Sequence, residues 1–294
     1  MKKKSVITIG TFDGVHKGHR FLIEKTLCIA KKNNLKSVVI VLEKPVKKVN
    51  GILTSCQEKL EEISTFGVDE VILINVPSKI LNYTPDKFFD EFLVDELNVS
   101  EIVCGLDFAF GKDRKGDILW LKKKTKDNNV KINVVKYLRS SSKQISSSYI
   151  RTLIEKGDVK NAAKIFGRHY SFLGIAFKDR GFGEKLGFPT INLKVSNDKL
   201  LPKGVYISLT GQKDILYPSI TNIGSRITFN IGENIVPETH ILNFNGTWEN
   251  VLTKVTLLKK IRDEKKFKDI QDLKKQIAKD IAKALKFFKF SERA

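Results

Sequence analysis

A segment with two histidines and three glycines carries the strongest chemical signal in the sequence. Residues 10–19 read Gly-Thr-Phe-Asp-Gly-Val-His-Lys-Gly-His and follow the apolar run 6–9. A strand that passes through glycines into a helix start brings backbone amides and the positive helix end together, where a phosphate group binds. His16 and His19 can both donate to phosphate oxygens as charge builds up on them in a transition state. One of them could be structural, but the pair in this glycine context predicts a phosphate site.

A second group of polar residues lies in the second half of the chain. Thr190 and Asn192 alternate along a predicted extended strand, so their side chains point to the same side of it. A hydroxyl and an amide oxygen are hard ligands that suit Mg²⁺ bridging nucleotide phosphates. An ordinary strand edge is the alternative for such a pair taken alone. The glycine-rich loop at 178–185 favours the phosphate site, because it could wrap phosphates as a flap.

A serine-rich stretch precedes a predicted helix in the middle of the chain. Serines 146–148 could simply cap that helix, since serine is common at helix starts. Arg151 lies one turn inside the same helix, and a guanidinium beside helix-start donors makes a phosphate clamp. This stretch therefore predicts a second contribution to phosphate binding.

Short apolar runs and helical patterns alternate in the first half of the chain, which must position the first site. This alternation predicts an α/β domain with a doubly wound parallel sheet that ends near Arg139. The predicted strands are 6–9, 38–42, 71–74, 102–104 and 132–135, and the predicted helices are 18–32, 57–66, 85–97 and 117–126.

The pattern changes after His169, where strand-like stretches follow one another with glycine and proline between them and no predicted helix. This pattern is typical of a small antiparallel barrel. We therefore predict two domains, an α/β domain at 1–167 and an all-β domain at 168–294. The first of these should contain two short helices after residue 140. The strand-like stretches are 170–177, 204–209, 215–223, 238–244 and 251–258. A terminal helix should pack on the barrel through Ile270, Leu273, Ile277, Ile281, Leu285 and Phe288.

Length and composition fit a folded enzyme better than a disordered or membrane protein. The 294 residues are 41% hydrophobic, which is enough for two cores. The three cysteines lack zinc-site spacing, and neither a signal-peptide core nor a membrane-length apolar segment is present, which together predict a cytoplasmic protein without a membrane partner. The net charge of +20 is spread along the chain without aromatic interleaving, so a nucleic-acid partner is not favoured.

Four segments together resemble the prokaryotic bifunctional riboflavin kinase/FAD synthetase family. The resemblance runs over nearly the whole chain, in order and spacing. Residues 10–19 resemble the H-x-G-H motif of nucleotidyltransferases in the form found in this family. Residues 105–111, with Arg114 and Gly116, resemble its flavin-contacting loop; 145–151 resemble its I-S-S-T-x-I-R nucleotide motif, and 187–192 its kinase signature G-x-P-T-A-N.

The resemblance implies a fold, two reactions and a set of site residues. The fold would be a nucleotidyltransferase domain followed by a six-stranded riboflavin kinase barrel with a terminal helix. Riboflavin would be phosphorylated to FMN, and FMN adenylylated to FAD, with ATP and Mg²⁺ in both steps. Riboflavin, FMN, ATP and FAD would thus be the small-molecule partners. Glu238, at the position of the family's glutamate before an L-D-F sequence, would be the base that activates the ribityl hydroxyl.

The remaining implied roles divide between the two predicted domains. In the adenylyltransferase, ATP would contact Gly10, Phe12, Asp13, Gly14, His16, Gly18, His19, Ser147, Ser148 and Arg151. The flavin would contact Asp107, Phe108, Phe110 and Arg114, although the first and last could be an ordinary loop pair and the aromatics could be core. In the kinase, ATP would contact Gly181, Gly183, Lys185, Gly187, Pro189, Thr190 and Asn192, and the metal would contact Thr190 and Asn192.

The chain departs from the family pattern mainly in the kinase half. Asn243 replaces the aspartate of L-D-F, residues 247–250 replace D-L-Y-G, and 222–228 depart from N-x-G-x-R-P-T. In the first half, residues 42–46 lack the histidine of the family's F-x-P-H-P segment. Two alternatives therefore remain, an FMN adenylyltransferase with a weakened kinase half and a nucleic-acid-binding protein on the same fold.

Overall fold

The computed structural model describes most of the chain as two compact units. The described residues are 3–45, 49–75, 77–136, 139–140, 143–177, 182–212, 215–228 and 232–291. The first unit spans Met1–Ser147 and the second spans Ser148–Ala294. The units thus divide about twenty residues before position 167, the predicted domain boundary, because a helix between these points packs on strands of the second unit. The boundary at 167 as a functional division stays a prediction.

The first unit is built on a parallel sheet, which confirms the five predicted strands. Its order is β3-β2-β1-β4-β7, with Ile7 of β1 between Val38 and Ile102 on the neighbouring strands. The strands are β1 Ser5–Gly10, β2 Lys36–Leu42, β3 Glu70–Ile74, β4 Val99–Gly105 and β7 Lys131–Val135. Two short antiparallel pairs join β5 Ala109–Phe110 to β6 Gly116–Asp117 and β8 Arg139–Ser140 to β9 Lys143–Gln144.

Helices flank this sheet, and apolar side chains are buried on both of its faces. Along β2, Val38 belongs to one buried cluster and Val39 to another, because successive side chains point to opposite faces. Residues 85–97 are helical as predicted, but the second part is a π-helix in which Leu97 N donates to Phe92 O. The helices are α1 Lys17–Asn33, α2 Cys56–Ser64, α3 Pro85–Lys87 with the π-helix Phe88–Glu96, and α4 Ile118–Asp127; short 3-10 turns cover Lys79–Asn82 and Lys112–Arg114.

The strand order defines where a ligand binds in this unit. β1 lies between β2 and β4, so the connection after β1 and the connection after β4 lead to opposite sides of the sheet. Ligands of such sheets bind in the crevice at the carboxyl ends of the strands where the order reverses. β1 ends at Gly10 and β4 ends at Gly105. The glycine and histidine segment and the predicted flavin loop therefore both begin at this crevice.

The second unit is a closed six-stranded barrel, as the resemblance implies. Its order is β10-β11-β14-β13-β12-β15, with β15 pairing back to β10. β11 is too short to appear among the predicted strand-like stretches, and a short helix precedes it. The strands are β10 Tyr170–Phe177, β11 Ile191–Val195, β12 Gly204–Gln212, β13 Ile215–Thr228, β14 Gly232–Ile241 and β15 Leu252–Arg262. The helices are α5 Ser147–Glu155, α6 Val159–Phe166, α7 Phe182–Lys185 and α8 Ile270–Ser291.

The terminal helix α8 packs on the barrel through part of the predicted stripe. Ile281 and Phe288 join a buried cluster with Ala284 and with barrel residues such as Val205. The prediction is wrong at Leu285 and Ile270, which are exposed. Leu285 lies at the side of the buried face, and Ile270 is the first residue of the helix. Among the described residues, no helix is long and apolar enough to cross a membrane.

Candidate active sites

The loop after β1 has an unusual backbone that only its surroundings can hold. Phe12, Gly14 and Val15 all have positive φ values, of 46°, 92° and 40°. This conformation is strained for Val15, which is branched at Cβ. Val15 is fully buried, and its N–H donates to Phe12 O at 2.9 Å. Such strain is typical of functional loops, and here it lies at the crevice that the sheet defines.

The carboxylate of Asp13 fixes this loop to the segment before α2. Asp13 is buried, and its Oδ1 accepts hydrogen bonds from the backbone N–H groups of Leu53 at 2.9 Å and Thr54 at 3.1 Å. The Thr54 hydroxyl in turn accepts from Gly14 N at 2.9 Å. Ser147 Oγ donates to Asp13 O at 2.8 Å. The Asp13 side chain therefore positions the loop backbone.

A buried lysine that sequence reasoning missed supports the same region. Lys59 of α2 is 1% exposed, and its Nζ donates to Leu42 O at 2.9 Å and Glu43 O at 3.1 Å. Burial lowers its pKa, while the charge of Asp13 opposes this shift. The available signal was the spacing of Lys59 and Ile63, which puts the lysine on the buried face of α2.

Replacing Asp13 tests how much this support contributes. We expect Asp13→Ala to lower the free energy of unfolding by about 2–3 kcal/mol, because two buried N–H groups lose their acceptor. Asp13→Asn keeps an oxygen acceptor and should cost less. Denaturant titration of the two variants and the parent measures the difference. Equal stability of Asp13→Ala and the parent would show that the carboxylate does not fix the loop.

The two histidines lie side by side at the start of α1. His16 caps the helix, and its Nδ1 accepts from His19 N at 3.3 Å. A nitrogen that accepts carries no proton, so in the neutral ring the proton is on Nε2. The two imidazoles stack with their centroids 3.6 Å apart. A Cβ on Gly18 would lie 3.1 Å from the His16 ring, so this glycine leaves room for it.

The predicted flavin loop has one exposed part and one buried part. Asp107 is exposed, and Arg114, which has a φ of 59°, donates from Nη2 to Asp107 O at 3.2 Å. The rings of Phe108 and Phe110 stack with centroids 5.5 Å apart. Phe110 is buried in the core beside Trp120, whereas Phe108 is only half-buried. Phe108 is therefore the ring that remains accessible.

The nucleotide motif around α5 spans the division between the two units. Ser147 is the last residue of the first unit, and its hydroxyl contacts the loop at Asp13. Ser148 and Arg151 follow in α5 as part of the second unit. Their contribution to the adenylyltransferase site stays a prediction.

The barrel carries a cavity that contains most of the predicted kinase residues. It has a volume of about 500 Å³ and is lined by Gly183, Pro189, Thr190, Asn192 and Glu238. Gly187, in the left-handed region with a φ of 85°, follows α7. Gly181 lies outside the described residues, as does the side chain of Lys185.

Strand pairing positions Glu238 between two asparagines. Glu238 of β14 is opposite Asn192 of β11 on one side and Asn222 of β13 on the other. On the opposite face of β14, the hydroxyl of Thr239 is hydrogen-bonded to that of Thr221 at 2.9 Å, and both are fully buried. The register that brings the carboxylate next to Asn192 is therefore fixed from inside the barrel.

Gly183 approaches the predicted metal ligand so closely that no side chain fits. Its carbonyl oxygen accepts from Phe188 N at 2.8 Å. A Cβ on Gly183 would lie 2.6 Å from Phe188 O and 2.7 Å from Thr190 Oγ1. The segment around Gly183 must therefore remain free of side-chain atoms for Thr190 to keep its place.

We expect Gly183→Ala to impair FMN formation selectively. The added methyl group must displace Thr190 or the Phe188 carbonyl, and misplacing a substrate-positioning group by about 1 Å can cost on the order of 10²-fold in rate. Gly187→Ala is not a matched control because of its positive φ, and a Cβ on Gly246 would lie 2.7 Å from the Phe244 ring, so the rate of FAD formation from FMN by the same variant serves as the control. Initial rates with riboflavin and with FMN as substrates measure the selectivity. A Gly183→Ala enzyme with the parent rate would contradict the close approach.

The other wall of the cavity comes from the end of β15 and from α8, which sequence reasoning missed. Arg262 Nε donates to Asp280 Oδ2 at 2.8 Å, and Gln276 donates to the other oxygen at 2.9 Å. Asp280 is 2% exposed. Leu273 and Ile277 of the predicted packing stripe line the cavity. The sequence signal that could have located this wall is Asp280, a charged residue at helical spacing from the packing stripe.

The residues that replace the family's D-L-Y-G form ordered structure. Asn243 and Asn250 both have a φ of 55°, which asparagine tolerates better than most residues. Trp248 Nε1 donates to Thr253 Oγ1 at 2.9 Å, and its ring contacts those of Phe244 and Tyr217 at centroid distances of 5.4 and 5.7 Å. The replacement at Asn250 thus retains a backbone conformation that glycine would also adopt.

A parallel sheet with a strained glycine and histidine loop, followed by a barrel with a carboxylate in its cavity, is typical of a two-domain transferase of phosphate groups. The FAD synthetase family matches residues 1–149, and the riboflavin kinase family matches residues 166–288. The chain therefore belongs to the family of bifunctional riboflavin kinase/FMN adenylyltransferases.

Individual relatives agree with this membership over nearly their full length. The chain is 33% identical to the bifunctional riboflavin kinase/FMN adenylyltransferase of Buchnera aphidicola subsp. Schizaphis graminum, covering 98% of this chain and 95% of that protein. It is 31% identical to the Bacillus subtilis enzyme of the same name, covering 97% and 93%. A Streptococcus pneumoniae crystal structure, described as a macrolide-efflux protein, has a TM-score of 0.85 at 27% identity and covers 96% and 94%.

Proposed function

We propose that the two activities of this family are carried out by separate groups of residues, one around the loop after β1 and one in the barrel cavity. As a member of the family, the chain is a transferase that phosphorylates riboflavin to FMN and adenylylates FMN to FAD. ATP donates a phosphoryl group in the first reaction and an adenylyl group in the second, which releases pyrophosphate. The observation that carries the proposal is the pairing that brings Glu238 beside Asn192 in one unit, while His16, stacked on His19, caps α1 in the other.

The adenylyl transfer needs positioning and charge stabilisation more than it needs a base. The second pKa of a phosphate monoester is about 6, so the attacking phosphate of FMN is already an anion. His16 and His19 at the positive end of α1 would donate to the phosphate oxygens of ATP as charge develops. The loop with Gly10, Phe12 and Gly14 would hold the phosphates near its backbone.

The flavin end of FMN would lie against the loop after β4. Phe108 offers a half-buried aromatic ring, and Phe110 supports it from the core. Asp107 and Arg114 provide polar contacts at the exposed edge of the same loop. This loop and the loop after β1 share the crevice of the sheet, so the FMN phosphate and the ATP phosphates can meet there.

The phosphorylation of riboflavin does need a base, because a ribityl hydroxyl is a poor nucleophile near neutral pH. Glu238 is the carboxylate that we assign to this role. Thr190 and Asn192 are the residues that would hold Mg²⁺, since a hydroxyl and a buried amide oxygen in the same cavity suit this ion. When bound there, the metal ion would neutralise charge on the ATP phosphates.

The cysteines support a cytoplasmic location. Cys28, Cys56 and Cys104 are all free thiols in the structure. Unpaired thiols are usual in the reducing cytosol, where disulfides are rare. We therefore propose that the enzyme acts there on riboflavin, FMN, ATP and FAD.

A product assay tests the proposal directly. Purified protein is incubated with riboflavin, ATP and Mg²⁺, and FMN and FAD are separated by chromatography; a parallel reaction starts from FMN. We expect FMN and then FAD in the first reaction and FAD in the second. FAD from FMN alone would favour the adenylyltransferase with a weakened kinase half. No turnover, with tight salt-dependent binding of unrelated DNA or RNA, would favour the nucleic-acid-binding alternative.

A further inference from the structure

The strand pairing that joins the predicted base to the predicted metal ligands is unusually short. β11 and β14 are paired only through Ile191 with Thr239 and Asn192 with Glu238. Pro189 precedes this pairing and has no N–H, so it cannot donate a further bond to β14. Thr190, between Pro189 and the paired Ile191, lies outside this strand pairing.

A side chain takes over where the backbone pairing ends. His240 Nδ1 is 2.7 Å from Pro189 O. A carbonyl oxygen can only accept, so Nδ1 must carry the proton that is donated. The imidazole also meets the ring of Phe188 edge to face, with centroids 6.2 Å apart and an interplanar angle of 89°. Both contacts are to the segment immediately before Thr190.

His240 and Glu238 lie on the same face of β14, because they are two residues apart in a strand. Both line the cavity that also contains Pro189 and Thr190. Behind them, the Thr239 hydroxyl fixes β14 from the barrel interior. One strand thus presents the base to the cavity and also holds the backbone that carries Thr190.

We propose that His240 is a positioning residue of the kinase site: its Nδ1–H bond to Pro189 O holds Thr190 in the cavity that Glu238 also lines. The inference rests on the proposed kinase roles of Glu238 and Thr190. A role in packing alone would require only the volume of the ring. The positioning role and the packing role predict different effects for a substitution that keeps an N–H donor.

Two variants separate these roles. His240→Asn keeps an N–H donor near the position of Nδ1, whereas His240→Leu keeps comparable volume without a donor. We expect His240→Leu to lower kcat/KM for riboflavin phosphorylation on the order of 10- to 10²-fold, mainly through a higher KM for ATP with Mg²⁺, because Thr190 is no longer held. His240→Asn should retain most of the activity. Both variants should adenylylate supplied FMN at the parent rate, which shows that the first unit has folded, and thermal melting checks the barrel.

Histidine ¹⁵N NMR of the parent protein provides a readout that does not depend on turnover. The chain has 4 histidines, and comparison with His240→Asn assigns the signal. We expect a protonated Nδ1 at neutral pH. An unprotonated Nδ1, parent-like kinetics of His240→Leu, or equal losses in both variants would overturn the inference. A parent enzyme that makes no FMN would instead overturn the proposed kinase function, whatever the state of His240.

Discussion

Glu238→Gln should lower riboflavin phosphorylation on the order of 10²- to 10⁴-fold. The attacking group is a hydroxyl whose proton must be removed as it reacts, and glutamine cannot accept that proton. Glutamine has nearly the same volume and keeps the polar contacts that a half-buried position opposite Asn192 and Asn222 requires. The loss should therefore appear in kcat with little change in stability. Initial rates of FMN formation at saturating ATP measure it.

Two comparisons make this prediction specific. FMN supplied directly should become FAD at close to the parent rate, because the attacking phosphate is already ionised and reacts in the other unit. Glu249→Gln removes a second carboxylate that lines the same cavity but is exposed, and should cause a far smaller loss. Circular dichroism and thermal melting check the fold.

Two outcomes would count against the assignment. If Glu238→Gln phosphorylates riboflavin normally, Glu238 is not the base, and the changes at 243 and 247–250 would indicate a rebuilt kinase site. If adenylylation of FMN falls by the same factor, the assignment of the two reactions to separate units is wrong.

The sheet and the barrel could be predicted because their patterns are local. A parallel strand covered on both faces is a continuous apolar run, and 38–42 is such a run. The bounds of helices and strands, and the presence of short ones, are less well specified by local patterns. β11 has five residues and follows a proline, so its strand pattern is weak. Leu285 has the right spacing for a packing stripe, but this spacing does not specify how wide the buried face of α8 is.

The residues of the candidate site could be predicted only where they belong to a recognisable motif. His16, His19 and Glu238 occur in recognisable segments, and the structure brings Glu238 beside Asn192 through pairing. Supporting contacts join distant parts of the chain, as Asp13 does with Leu53 and His240 with Pro189, and no local pattern specifies them. The same holds for burial. An aromatic residue after β4 gives the same sequence pattern whether it lies in the core or at the surface.

His16→Asn and His19→Ala should each lower FAD formation on the order of 10²-fold or more, because each removes a donor to phosphate oxygens whose charge grows in the transition state. At position 16, asparagine tests the missing donor alone. Its side-chain oxygen can still accept from His19 N and so keep the helix cap, but it has no group at the place of Nε2. A loss in this variant would therefore reflect the missing donor and not a frayed α1.

The products formed from riboflavin make the outcome easy to read. In both variants FMN should accumulate at the parent rate while FAD forms on the order of 10²-fold more slowly or not at all, because the kinase residues lie in the second unit. His169→Ala provides the matched control, since this histidine is exposed between α6 and β10 and should alter neither product. If a folded His16→Asn enzyme still makes FAD at the parent rate, the Nε2 donor is not used, and stabilisation would have to come from the backbone amides at the start of α1. If FMN and FAD formation fall together, the two reactions do not use independent groups of residues.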